Sequence, residues 1–413
     1  MFRINVNELS AITKARNKNN HFNVYSSIIK RERLLQNMTL EETAAGICSV
    51  SYLCKLENNQ IEPRTEYIKF LFERLAIDYS LVKSNDYETI LREIIRCYFY
   101  EDYGKIEDII KTIDFSLFDC NAILCKIFLL LSNHLEEEAS KLLEEVDTVK
   151  NCLSDYGAII FGFLISEYYI KTNQFHEAYK CLYSICDDYI DDDNLQYLLD
   201  EDKIICAFHT KKHFEAERLI NKLLNSVNIS YPTSRRAKIN IINSIILGLD
   251  ESTTKLDILT FIKTNKNVID DYDNYYLAIL GLIKLKMFHE VIEIIENSGL
   301  YVRCGILALY GAAIYCLKLT NKYLAFIELS KVVQKESPND QNMKFIEFMT
   351  KYIQNEDKIV LYEYLKFDAL VFSDKYPHVL FDELYLNNYL DLLVSLSKYK
   401  DATILLKDSY FFK

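Results

Sequence analysis

Cys206, His209 and His213 stand at helical spacing, and a thiolate with two imidazoles is a reasonable start for a zinc site. No fourth donor lies nearby, and the trio spans a polar stretch that reads as a turn, so a packing role is expected. His289-Glu290 is followed by Val291-Ile292-Glu293, which is not the H-E-x-x-H arrangement of a zinc protease. The chain has no glycine-rich phosphate loop, no nucleophile elbow and no convincing acid/base pair. The expectation is a protein that is not an enzyme, with no metal and no cofactor. The remaining chemistry is hydrogen bonding from one helical segment. Ser49, Ser51, Tyr52 and Lys55 fall between Ile47, Leu53 and Leu56, so donors and acceptors face outward while the apolar residues face a core. A helix of this kind fits the major groove of duplex DNA, where such groups meet base edges and phosphates.

The elements that would position this helix are legible around it. Thr39 is placed as an N-cap, with Glu41 and Glu42 in the first turn, where carboxylates suit the helix dipole. Ala44, Ala45 and Gly46 leave little bulk where two helices would cross. Ile28–Leu35 forms an earlier helix with a basic face, from which Arg31 and Arg33 would steer toward phosphate. Pro63 breaks the chain, Thr65 is placed to cap a further helix through Ala76, and Arg64 is a plausible phosphate contact. The candidate DNA-binding set is therefore Arg31, Arg33, Thr39, Ser49, Ser51, Tyr52, Lys55 and Arg64.

The 413 residues hold 11 Cys, 9 Gly and 4 Pro, and half of them are apolar. So few turn residues favour an all-α fold with short connections. No stretch is long and apolar enough to span a membrane, and the first twenty residues lack the apolar core of an export signal. Scattered cysteines with no C-x-x-C pair read as reduced thiols in a cytoplasmic protein. Of the net charge of −12, residues 1–76 carry 11 Lys/Arg against 8 Asp/Glu, and the rest carry 37 against 52. A basic head at +3 on an acidic body at −15 suits a chain that touches DNA through its head alone.

Past residue 77 the sequence repeats loosely. An apolar helix end, a polar turn and an aromatic or apolar anchor recur at Ile106, Leu135, Phe175, Phe214, Phe288, Tyr323 and Tyr399. The spacing fits a unit of roughly 34–40 residues, with degenerate copies near 254 and 361. Helical pairs of this length cannot bury their own apolar faces, so stacked neighbours build one continuous core. The anchors resemble the second half of a tetratricopeptide repeat, although the chain has no Trp for the first half.

Arg31–Ile77 resembles the Xre/Cro-class helix-turn-helix carried by peptide-responsive regulators of the Rap–Rgg–NprR–PlcR–PrgX group. The segment that carries the resemblance is Ile47-Cys48-Ser49-Val50-Ser51-Tyr52-Leu53-Cys54-Lys55-Leu56-Glu57-Asn58. Leu40 departs from the Gln that often contacts phosphate in that group, and Asn59 replaces the Gly that usually follows the third helix. The resemblance implies a polar arm over 1–24, a DNA-binding domain over 25–77, a linker helix over 78–95 and a right-handed superhelical array of tetratricopeptide-like hairpins over 96–413. It further implies a homodimer on a double-stranded DNA operator, gated by a short signalling peptide held in the groove of the array. Asn240 and Asn243 lie one helical turn apart beside Arg236, and an Asn side chain both donates to and accepts from a peptide backbone. Counting from the anchors adds Glu167, Asp202, His209 and Tyr276. The alternative is a Rap-like interaction module whose array captures a response regulator or another protein.

Overall fold

The computed structural model describes residues 24–81, 87–185, 190–225, 232–247, 258–259, 272–298, 303–333, 340–354 and 357–410, so the arm expected over 1–24 lies almost wholly outside it. Every regular element among these residues is helical. The chain forms two compact units, one of residues 1–171 with 177–203 and one of 172–176 with 204–413.

The head opens the first unit. It consists of α1 (Val24–Leu35), α2 (Leu40–Ala44), α3 (Val50–Glu57) and α4 (Thr65–Arg74), followed by a single 3-10 turn at Tyr79–Leu81. Its core is Ile28 and Ile29 from α1, Leu53 and Leu56 from α3, and Ile68, Leu71, Phe72 and Leu75 from α4 and its end. In the same unit, α5 (Tyr87–Phe99) pairs with α6 (Tyr103–Lys111), α7 (Cys120–Ser132) with α8 (Glu136–Thr148), and α9 (Asp155–Lys171) packs on α7. The segment expected to be a linker helix is therefore the first helix of a hairpin. Its apolar residues Leu91, Ile94, Ile95 and Phe99 are fully buried, as a partnered helix requires.

The second unit repeats the pattern through α12 (His213–Asn225), α13 (Thr233–Leu247), α14 (Tyr272–Lys284), α15 (Phe288–Ser298), α16 (Cys304–Cys316), α17 (Tyr323–Ser330) and α18 (Gln341–Ile353). It closes with α19 (Lys358–Tyr364), a π turn at Leu365–Ala369, α20 (Leu370–Lys375), α21 (Phe381–Ser395) and α22 (Tyr399–Tyr410). Helices α10 (Phe175–Ser184) and α11 (Asp193–His209) each begin in one unit and end in the other.

One local device builds the hairpins. Glu101, His134, Asn173, Lys211, Lys286, Lys318 and Ser397 all have φ between 55° and 61°, each two residues before the next helical element. At Glu101, for example, the left-handed residue's N–H bonds to Tyr98 and the next N–H to Cys97, the paired bonds of a Schellman helix end. The same pairing recurs at His134, Lys211, Lys286, Lys318 and Ser397. A chain poor in glycine thus fills the left-handed positions of these turns with polar residues. The expected anchors mark these turns, but they do not all supply burial: Ile106 and Phe175 are buried, whereas Phe214 is 81% exposed and Tyr399 62%. The small residues that follow, Ala139, Ala178, Ala216 and Ala402, are the buried ones. The copy expected near 254 lies outside the described residues. The one near 361 is replaced by the run of α19, π turn and α20, which has no hairpin turn.

Candidate DNA interface and a buried histidine–tyrosine cluster

Thr39 caps α2 in a reciprocal capping box: the Glu42 N–H donates to Thr39 Oγ1 at 3.2 Å, and the Thr39 N–H donates to Glu42 at 2.8 Å. The pairing holds the Glu42 carboxyl below its ordinary range. The short α2 is closed at its other end by Arg74, whose guanidinium donates to the carbonyls of Glu42 and Ala45 at 2.8 Å each. Gly46 then takes φ +73° with nothing within 4 Å of the place a Cβ would fill. Its role is the left-handed turn and not close packing; of the three small residues, Ala44 alone is buried.

Ser49 receives the Tyr52 N–H at 3.1 Å and is the N-cap of α3, so the helix begins at Val50, with Cys48 in the turn. Ser51, Cys54 and Lys55 are exposed on α3, while Leu53 and Leu56 are fully buried. Tyr52 lies edge-on to Tyr67 at 5.1 Å and its hydroxyl accepts the Arg64 N–H at 2.8 Å, which makes it a brace between α3 and α4. The Arg64 guanidinium sits 5.8 Å over the Tyr67 ring and is exposed. Arg64, not Thr65, occupies the N-cap of α4, without a side-chain capping bond.

The two arginines expected to steer toward phosphate are engaged inside the protein. Arg31 donates to Glu145 at 3.1 Å and to Glu32 at 2.9 Å, and its guanidinium lies 4.5 Å over Phe118. Arg33 is paired with the buried Glu57. The outward cationic surface at α3 and α4 therefore rests on Lys55 and Arg64 from the predicted set, joined by exposed Lys69. The end of α3 is also tied down. Asn59 takes φ 53° and donates to the Cys152 carbonyl at 2.8 Å, while the Cys152 thiol donates to the Glu57 carbonyl at 3.0 Å.

The residues predicted to hold a peptide divide among three settings. In the first unit, Glu167 accepts the Tyr98 hydroxyl at 2.8 Å, and Asp202 is buried. On α13, Arg236 and Asn240 are exposed, and Asn243 is half-buried with its amide oxygen lacking a hydrogen-bond partner. In the second unit, His209 and Tyr276 both come within 6.4 Å of the His378 ring, although they belong to helices far apart in the chain. His378 Nδ1 accepts the N–H groups of Leu380 and Phe381 at 3.2 and 3.1 Å, so the ring proton belongs on Nε2. Nε2–H then donates to the Tyr276 hydroxyl at 2.8 Å, which in turn donates to Asn342 Oδ1 at 3.0 Å. His209 stacks on Phe175 at 3.9 Å, and its Nδ1 is buried without a hydrogen-bond partner. Burial pushes the His209 pKa down to about 3 and holds His378 well below the ordinary imidazole range.

His378 and Asn342 had no sequence motif to announce them. The one local signal was Pro377, a helix breaker among only four prolines. Cys206 is buried, His209 is stacked and His213 is exposed, so the three do not share a site. No group of three or more His, Cys, Asp or Glu residues is placed to hold a metal among the described residues. No described helix is long and apolar enough to cross a membrane.

Residues 29–82 match the helix-turn-helix family, so the head is a helix-turn-helix DNA-binding domain. No curated protein matches the chain in sequence. Among solved structures, it is similar to Bacillus thuringiensis PlcR in complex with the peptide PapR7 and DNA, at 12% identity and a TM-score of 0.35 over 66% of this chain and 99% of that one. The apo competence regulator ComR from Streptococcus vestibularis is similar at 13% identity and a TM-score of 0.35, over 61% of this chain and 97% of ComR. The PrgX/iCF10 complex is similar at 15% identity and a TM-score of 0.32, over 67% and 95%.

Proposed function

We propose that this chain, built on a helix-turn-helix head, is a cytoplasmic transcription regulator whose helical array receives a short signalling peptide that alters operator binding. The observation that carries the reading is the two-sided character of α3. Leu53 and Leu56 anchor it in the core, and Ser51, Cys54 and Lys55 stand in solvent on its other side. That is what a helix entering a major groove needs: a fixed back and an open, polar front. The proposal includes a homodimer, since paired half-sites call for recognition helices about 34 Å apart.

For the array, support comes from His209, Tyr276 and Asn342, which bring polar groups from separate helices to one place in the second unit. Polar side chains gathered from several repeats suit an extended peptide, whose backbone offers donors and acceptors at regular intervals. The test is a gel shift on the intergenic DNA upstream of the gene, with and without the mature form of any exported peptide encoded next to it. Specific binding that the peptide changes supports the reading.

Arg31 and Arg33 are withdrawn from the DNA side, and this favours a second reading, in which the array captures a protein partner and the head contributes little. A stable complex with a response regulator and no operator binding would select it.

A further inference from the structure

Within the second unit, the eight residues Tyr376-Pro377-His378-Val379-Leu380-Phe381-Asp382-Glu383 make polar contacts with four other elements. Pro377 accepts the Gln341 amide at 2.8 Å through its carbonyl, and His378 donates to Tyr276 of α14. The Val379 carbonyl accepts Lys284 Nζ at 3.2 Å, and Glu383 pairs with the same ammonium at 3.0 Å. Asp382 pairs with Lys211, in the turn after α11, at 3.0 Å; it also accepts the Ser373 hydroxyl and, at 3.1 Å, the N–H of His378. Phe381 stacks on His378 at 3.9 Å and on Phe345 of α18 at 4.2 Å. A single short run thus offers backbone carbonyls, an aromatic ring and two carboxylates to side chains from α14, α18 and the α11–α12 turn. These are the features by which a bound peptide would be held.

We propose that Tyr376–Glu383 is an internal strap that occupies the peptide-receiving surface of the second unit, and that an incoming peptide competes with it. The inference rests on the reading of the array as a peptide receiver. It adds the chemistry of the ligand: a short peptide with an aromatic or imidazole ring followed by a carboxylate, able to take over Tyr276, Lys211 and Lys284. The strap is held by these polar and ionic contacts and by burial: Tyr376–Asp382 are buried and Phe381–Glu383 form the first turn of α21, so its release includes unwinding that turn. His209, buried beside it with an unpartnered Nδ1, leaves a donor or acceptor site that the strap does not use.

The probe is a labelled synthetic peptide of residues 376–383, added to the full-length chain and followed by fluorescence anisotropy. Wild type is expected to bind it poorly, because a site closed nine-tenths of the time loses about tenfold in apparent affinity. Asp382→Ala, which loosens the strap in cis, is expected to bind the probe about tenfold or more tightly than wild type. Adding Tyr276→Phe to that variant should weaken binding again, which separates the site from general loosening. If Asp382→Ala fails to fold by circular dichroism, Glu383→Ala loosens the strap from its own side, at a residue that is 62% exposed, and leaves Tyr276, Lys211 and Lys284 in place for the probe. Equal probe affinity in wild type and a folded strap variant overturns the proposal. A variant that binds the probe while no chain shifts operator DNA leaves the strap standing and removes the regulator reading instead.

Discussion

Arg33 and Glu57 meet fork to fork: Nε donates to Oε1 and Nη2 to Oε2, both at 2.7 Å, while Nη1 donates to the Met38 carbonyl at 3.0 Å. The pair joins the end of α1 to the last residue of α3, so the helix that would enter DNA is braced from behind. Glu57 is only 4% exposed, and leaving a buried charge without its partner costs roughly 3–5 kcal/mol. Arg33→Ala is expected to lower the melting transition of the head, read by circular dichroism, and to abolish operator binding by unfolding. The double change Arg33→Met/Glu57→Leu should recover most of that loss. Unimpaired melting of Arg33→Ala would show that the pair is not a brace.

Lys55 and Arg31 separate phosphate binding from packing. Lys55→Ala should weaken operator binding and reduce the salt slope by about 0.9, the amount that one neutralised phosphate contributes. Arg31→Ala should leave the slope unchanged, because its guanidinium is already placed on Glu145 and Phe118. Titrations at several salt concentrations decide the matter, and an altered slope for Arg31→Ala would return it to the DNA side.

Asn59 combines a left-handed backbone with a hydrogen bond to the Cys152 carbonyl. Gly tolerates that backbone, so Asn59→Gly should cost about 1 kcal/mol, the worth of the missing bond. Asn59→Ala should cost roughly 1–2 kcal/mol more, since a Cβ is penalised there. Denaturant titration of the two variants measures the difference, and equal costs would mean that the backbone conformation contributes nothing.

His209 behaves as an aromatic core residue that carries a titratable nitrogen. Its folded pKa, about 3, lies below the unfolded value near 6.5, so between those limits the unfolded chain binds the extra proton. Its contribution is complete above pH 6.5 and fades as pH falls toward 3; at pH 5 the loss is about 2 kcal/mol. His378 acts in the same direction, with Lys211 and Lys284 adding to the effect of burial. His209→Phe extends the stack on Phe175 and should reduce the acid sensitivity of melting relative to wild type. An unchanged difference between pH 7 and pH 5 would remove His209 as its source.

Gly311 lies on α16 where α17 crosses it, and a Cβ there would come within 2.7 Å of the Phe326 ring. Phe326 is fully buried, so any withdrawal of its ring must displace packed core neighbours. Gly311→Ala should destabilise the second unit by roughly 1–3 kcal/mol, the usual range for overpacking. Phe326→Leu in the same chain should relieve part of that cost in a melting experiment, whereas strictly additive losses would argue against the clash.

Local rules make the head readable. Thr39 and Glu42 form a capping box because their spacing suits one, and the alternation around Leu53 and Leu56 selects the buried side of α3. Asn59 does replace glycine at a left-handed position, as its type allows, and the repeats past residue 77 place most of the hairpin turns. Phe214 and Tyr399 mislead because an aromatic after a turn reads as an anchor, although the neighbouring alanine is the residue that meets the adjoining helix.

What the amino-acid order determined by itself was whatever acts within a turn or two of helix: caps, breaks, left-handed ends and the apolar side of each segment. The partners of charged and polar side chains were decided only by the fold. Arg31 and Arg33 read as basic surface until Glu145 and Glu57 arrived from 114 and 24 residues away. Tyr276 became part of a hydrogen-bonded chain only because His378, 102 residues later, packs against it. Hydrogen bonds and ion pairs act over a few ångströms, and sequence separation sets no such distance until the helices have packed.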